Sequence, residues 1–309
     1  MQSSSGYTRL LRNIWRSSYE QKKIVNNYGK SVRSKLLNIA KSEGIYYQTV
    51  LTRYFQERLI YRMAQTSYRR NFYLKGGALM YAHEKFAARP TLDIDFLGNN
   101  ISNNGEGIIA AFREICSVPC EEDGVKYDVE HITSKNITEL KDYHGVRISI
   151  PVSIDTVTQV LTMDIGFGDI VTPAPVDLDY PALLEHLPTA NILAYSLETV
   201  VAEKMHAVID LADQSSRMKD YYDLYQILNT QELDTDVLQE AIARTFENRH
   251  TKYDHDTMFF RNDFGENPVM ETRWKAFTKK ITAKQSIPFS EVVEYLQERL
   301  LPYWSNLNH

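Results

Sequence analysis

Apolar residues recur at helical spacing in three stretches before residue 70. Residues 1–20 begin polar and then carry Leu10, Leu11, Ile14 and Trp15, with Arg9, Arg12 and Arg16 between them. Residues 31–43 predict a second helix, with Ser31 as its N-cap, Val32, Leu36, Leu37, Ile39 and Ala40 on the apolar side, and Gly44 ending it. Residues 46–64 repeat the pattern at Val50, Leu51, Phe55, Leu59, Ile60 and Met63, which leaves Arg53, Arg58 and Arg62 on polar positions. The period then changes to two. Strands are predicted at 72–75, 91–97, 124–134, 145–154 and 157–165, with helices from Gly76 to about Ala88 and over 107–116. Together they predict one mixed, mostly antiparallel sheet, and Pro151 puts its strand at an edge or breaks it. The proline-bearing segment 172–188 predicts a linker. From Ser196, a good N-cap, the chain predicts helices over 196–212, 218–228, 234–246, 269–283 and 289–301. The expected class is α+β, a mixed sheet flanked by helices. It divides into a basic helical region (1–70), a sheet core (71–185) and a helical C-terminal domain (186–309).

Composition narrows the setting. The 309 residues are 43% hydrophobic and 24% charged, and no apolar run approaches the roughly 18–20 residues of a membrane span. No apolar segment of the secretory kind follows Met1, so a cytoplasmic protein is expected. Cys116 and Cys120 have no second Cys or His pair at zinc spacing, and read as reduced thiols. The net charge of -5 is uneven: residues 1–70 hold 14 Lys and Arg against 3 Glu, a balance of +11 that leaves -16 for the rest. Such asymmetry fits either a nucleic-acid contact on one face or a basic segment packed on an acidic remainder.

Chemistry concentrates between Lys75 and Asp95. Asp93 and Asp95, two apart on a strand, point to the same side, while Leu92, Ile94 and Phe96 are expected to point the other way into a core. Two neighbouring carboxylates repel unless a cation sits between them, and Mg²⁺, with Mn²⁺ as its substitute, takes oxygen ligands and holds substrate phosphates. Gly76 and Gly77, at the start of a helix, offer backbone N–H groups to phosphate. Asp164, near the end of a later strand, is the expected third metal ligand, with Asp169 a weaker substitute. Lys75 and Arg89 stand where each would contact a phosphate or pair with a carboxylate.

On the helical side, Lys204 lies among Val200, Val201, Met205, Ala207 and Val208, where it would either snorkel outward or serve the site. Asp220 and Asp223 share a helix face, and the helix dipole alone would account for Asp220. His206, His250 and His255 have no ligand spacing. Most of the 20 tyrosines read as core or interface residues.

Lys75-Gly76-Gly77, followed by Arg89-Pro90-Thr91-Leu92-Asp93-Ile94-Asp95-Phe96, resembles the first motif of the AbiEii/AbiGii nucleotidyltransferase toxins. These belong to type IV toxin–antitoxin and phage-defence systems and are related to polymerase-β-like nucleotidyltransferases. Asp164-Ile165-Gly166, Glu203-Lys204 and the run from Arg217 through Lys219, Asp220, Tyr222 and Asp223 to Leu224 follow in family order. So do Phe260–Phe264, Arg273-Trp274 with Phe277, and Phe289 to Trp304, so that the resemblance covers about residues 40–305. It implies a nucleotidyltransferase-like sheet and transfer of NMP from an NTP with Mg²⁺. The implied acceptor is the tRNA 3′ end, with a block of translation, and the implied partner is a cognate antitoxin. Metal ligation carries onto Asp93 and Asp95, the phosphate turn onto Gly76 and Gly77, and catalytic roles near the triphosphate onto Lys204 and Asp220. Ala78 stands where the family often has a small hydroxyl residue, which would remove one phosphate contact. The competing readings are transfer to a protein or small-molecule hydroxyl, and a non-enzymatic nucleotide- or RNA-binding module.

Overall fold

Asn27, rather than Ser31, caps the first helix of the computed structural model, which describes residues 27–140, 143–281 and 287–308. The Asn27 side chain accepts from the Lys30 N–H at 2.9 Å, so that α1 spans Tyr28–Glu43 and Ser31 lies inside it. Gly44, at φ 66, closes the helix as expected. The helix predicted within residues 1–20, with Arg9, Arg12 and Arg16, lies outside the described residues.

The next helix, α2 (Tyr47–Ala64), departs from the pattern that predicted it. Arg53, Arg58 and Arg62 are buried, not solvated. A buried guanidinium needs fixed acceptors, and each has them. Arg53 donates to the Ala88 carbonyl at 2.8 Å and lies over the Tyr81 ring. Arg58 donates to the Pro188 carbonyl at 3.0 Å, and Arg62 to the fully buried Asp123 at 2.6 Å. Arg33 pairs with Asp155, and Arg69 with Asp177. Arg33, Arg58, Arg62 and Arg69 are therefore paired with the chain's own carboxylates, and carbonyls accept from Arg53, Arg58 and Arg62.

Eight strands form one sheet: β1 (Phe72–Lys75), β2 (Asp93–Gly98), β3 (Val125–Tyr127), β4 (Thr133–Leu140), β5 (Tyr143–Ile154), β6 (Val157–Gly166), β7 (Val176–Tyr180) and β8 (Ala190–Ala194). Their order is β3-β5-β6-β2-β1-β8-β7, with β4 also pairing to β5. The β2–β6 and β1–β8 pairs are parallel and the others antiparallel, the mixed sheet expected. The single strand predicted over 124–134 is two strands separated by a short turn at Val129–His131. Pro151 neither ends β5 nor lies on an edge strand. It stands where β3, paired up to Val152, gives way to β4, paired from Ser149. The predicted linker 172–188 contains β7, whose exposed Asp177 and Asp179 hid an edge strand from the apolar pattern, and β8 follows it.

Alternation on β5 and β6 sets the two faces of the sheet. Val146, Ile148, Ile150 and Val152 are buried with Leu161, Met163 and Ile165, on the side where α2 and α4 (Gly105–Cys116) pack. Between β1 and β2 lies α3 (Gly76–Glu84). After the sheet come α5 (Leu197–Leu211), α6 (Met218–Thr230), α7 (Thr235–Asn248), α8 (Pro268–Lys280) and α9 (Phe289–Ser305), packed around Tyr221, Phe259, Trp274, Phe289 and Trp304. Ser196, the N-cap of α5, also donates to the Thr172 carbonyl at 2.8 Å and so ties this helix to the chain leaving the sheet. No helix among the described residues is long and apolar enough to cross a membrane.

Candidate active site

Parallel pairing of β2 and β6 puts Asp95 beside Asp164 and Asp93 beside Thr162. Asp93, Asp95 and Asp164 thereby each present an oxygen within 4.8 Å of the others, an all-carboxylate set suited to a hard divalent cation. Burial, and then the neighbouring Asp93, push the Asp95 carboxyl up to about 6. Across β1 and β2, Lys75 is opposite Asp95, and the chain turns there into α3. Gly76 takes φ +67, and a Cβ on it would lie 1.9 Å from Asp95 Oδ2. A Cβ on Gly77 would lie 2.8 Å from Thr91 Cβ. The Thr91 hydroxyl in turn donates to Asp93 Oδ1 at 2.9 Å. Both glycines thus let the turn lie directly against the carboxylate strand.

Beside this centre is a buried ionic network. Lys204 does not snorkel: its Nζ donates to Asp220 Oδ1 at 2.9 Å and Asp223 Oδ2 at 2.7 Å. Arg217 Nε donates to Asp220 at 2.8 Å, and Arg89 grips both Asp223 oxygens at 2.8 and 2.9 Å. Burial alone would raise both carboxyls, but Lys204, with Arg217 beside Asp220 and Arg89 beside Asp223, holds them below the usual carboxylate range. Burial likewise opposes the charge on Lys204, and Asp223 and Asp220 more than restore it. The helix dipole is therefore a minor part of what Asp220 does.

Lys75 belongs to a third cluster. It donates to Asp169 at 2.7 Å and Glu203 at 3.4 Å, and Arg249 reaches the other Asp169 oxygen at 3.1 Å. Asp169, claimed by two cations, is not placed to substitute as a metal ligand. Lys75 and Arg89, expected at phosphate or carboxylate, are both found on carboxylates. Ala78 is fully buried, so a hydroxyl there would face packed interior.

Two cations were missed. Arg147, opposite Asp164 on β5, donates through Nε and Nη2 to both Asp164 oxygens at 2.6 Å. Its signal was the β5 alternation, which sets it on the face opposite Val146 and Ile148. Lys219 lies close enough to Asp95 to favour its ionised form, and makes no salt bridge among the described residues. In sequence it stood within the Arg217–Leu224 run with no role assigned to it.

The sequence profile described as "Nucleotidyl transferase AbiEii toxin, Type IV TA system" matches residues 58–296. Among solved structures, JHP933 from Helicobacter pylori is 15% identical, with 85% of this chain and 94% of that chain covered at a TM-score of 0.52. A candidate nucleotidyltransferase from H. pylori is also 15% identical, with 85% and 98% covered at a TM-score of 0.51. At such identity these two speak for the fold. No curated protein matches the chain. With the profile spanning the glycine turn, all three carboxylates and the Lys204 network, the chain belongs to the AbiEii nucleotidyltransferase toxin family of type IV toxin–antitoxin systems.

Proposed function

We propose that the protein transfers NMP from an NTP to the 3′ end of tRNA in the cytoplasm, the terminal hydroxyl displacing pyrophosphate from the α-phosphorus, and so blocks translation until a cognate antitoxin restrains it. The observation that carries this reading is the convergence of three carboxylates on a positive-φ glycine turn at a helix N-terminus. That donor set fits a divalent ion. Mg²⁺, or Mn²⁺, held by Asp93, Asp95 and Asp164 would supply charge neutralisation at the reacting phosphate and a more acidic acceptor hydroxyl. The N–H groups at Gly76 and Gly77 receive phosphate oxygens. Lys219, whose charge favours ionised Asp95 and which makes no salt bridge among the described residues, is the cation this reading assigns to the triphosphate. Lys204 fixes Asp220 and Asp223, and Arg89 ties that pair to the chain entering β2. In this reading Lys204, Asp220 and Arg89 orient the site, and Lys75 anchors the glycine turn against Asp169.

The test is to incubate the protein with each α-labelled NTP and total tRNA, with Mg²⁺ or with EDTA. Label should join the tRNA 3′ end only with metal, and Asp93→Ala should lower transfer by about 1,000-fold or more. Label on a protein or a small molecule would replace the tRNA acceptor. No transfer, with Asp93→Ala as growth-inhibitory as the wild type, would overturn the enzymatic reading for tRNA.

A further inference from the structure

Among the described residues, the face of β3–β6 that carries Arg147 is open, with Lys126, Lys135, Arg147, Thr158 and Val160 exposed on it. Directly opposed residues share a face, so the Arg147–Asp164 pair continues through Ser149–Thr162 and Pro151–Val160 to Ser153–Thr158. On the other side of β5, Lys135 is opposite Arg147 and Lys126 is opposite Ser153. The reverse face is covered: Ser134 meets α4 at Gly105, and the Gln159 amide donates to Thr52 of α2 at 2.8 Å. Lys126, Lys135 and Arg147 are exposed, and Val160 is 55% exposed.

We propose that this open face of β3–β6 is the docking surface for the acceptor RNA strand, which it leads into the carboxylate centre. The inference rests on the tRNA reading above. Three features favour RNA over a protein partner. Among the described side chains of these four strands, the open face has three cations and one carboxylate, Asp164, which Arg147 already engages. Hydroxyls lie between the cations, and Lys, Arg, Ser and Thr are the side chains that contact phosphate and sugar. The apolar surface is Val160 beside Pro151, with a half-buried Ile137 apart from them opposite Gly145, too little for the apolar centre of a protein interface. From Arg147 to Ser153 is ~20 Å of extended strand, room for several nucleotides. With no aromatic residue on the described part of this face, contact is with the backbone and tolerant of sequence.

The test uses the full chain, total tRNA and a filter-binding series from about 50 to about 300 mM salt. Lys126→Glu with Lys135→Glu should weaken tRNA binding by about 30-fold or more and lower the salt slope by about 2. Lys126→Arg with Lys135→Arg should keep wild-type affinity, as should Lys279→Glu with Lys280→Glu on α8. Binding of labelled NTP alone should stay within about two-fold in all of them. Unchanged tRNA affinity and slope in the Glu pair, or an equal loss of NTP and tRNA binding, overturns the docking surface and leaves the tRNA reading standing. A wild type that neither binds nor labels tRNA removes that reading, and the docking surface with it.

Discussion

Gly76 is the residue at which the glycine turn and the carboxylates meet. Its φ of +67 is available to glycine without strain, and the space a Cβ would need is held by Asp95 Oδ2. Gly76→Ala should therefore displace the Asp95 carboxylate and lower transfer by about 100-fold, because misplacement by about 1 Å at a reacting centre has that effect. Thermal unfolding followed by circular dichroism should show a folded variant, with a loss of roughly 1 kcal/mol from the strained backbone. A fully active Gly76→Ala would mean that the turn lies away from the reacting phosphate. At this scale much was legible: a D-x-D pair on a strand forces two carboxylates to one side whatever surrounds them. The Asp95–Asp164 register was not legible, since β2 and β6 are far apart in sequence and only pairing sets them side by side.

Among the elements, α2 and α6 show where patterning succeeds and where it stops. Periodicity predicted both helices closely, because 3.6-residue spacing is a local property. It misread the arginines of α2, whose N–H groups are taken up by Asp123 and by carbonyls at Ala88 and Pro188 that no local pattern identifies. The Lys204 network between α5 and α6 follows the same rule. Asp220 and Asp223 both depend on Lys204, and each is nearly inaccessible. Lys204→Met should therefore leave excess buried negative charge and destabilise the fold by about 3–5 kcal/mol, read from urea unfolding. Lys204→Arg should recover part of that stability. A Lys204→Met variant as stable as the wild type would show that Lys204 is not what holds the two carboxylates.

For the whole molecule, the buried charges of α2 set a dependence of stability on pH. Burial pushes Glu57 up to about 7 despite Arg58 at 3.2 Å, from an ordinary value of 4.5. A carboxyl whose folded value exceeds its unfolded one contributes stability that is complete below the unfolded value and is lost as pH rises through the folded value. The chain should therefore lose roughly 2–3 kcal/mol between about pH 5 and about pH 8 from this group. Glu57→Gln should flatten that slope in urea midpoints. An identical slope in the variant would assign the titration elsewhere.

From residues alone followed the α+β class, the helix and strand periods, the paired Asp93 and Asp95, and the glycine turn before α3, since each depends on neighbours within a few positions. Tertiary structure decided which distant groups share a volume. It joined Asp164 to the pair, took Asp169 out of reach through Lys75 and Arg249, enclosed the α2 arginines, and, among the described residues, left the Arg147 face of β3–β6 exposed. The physical reason is that register and burial are long-range outcomes of packing, whereas side-chain direction along a helix or strand is set by the local backbone.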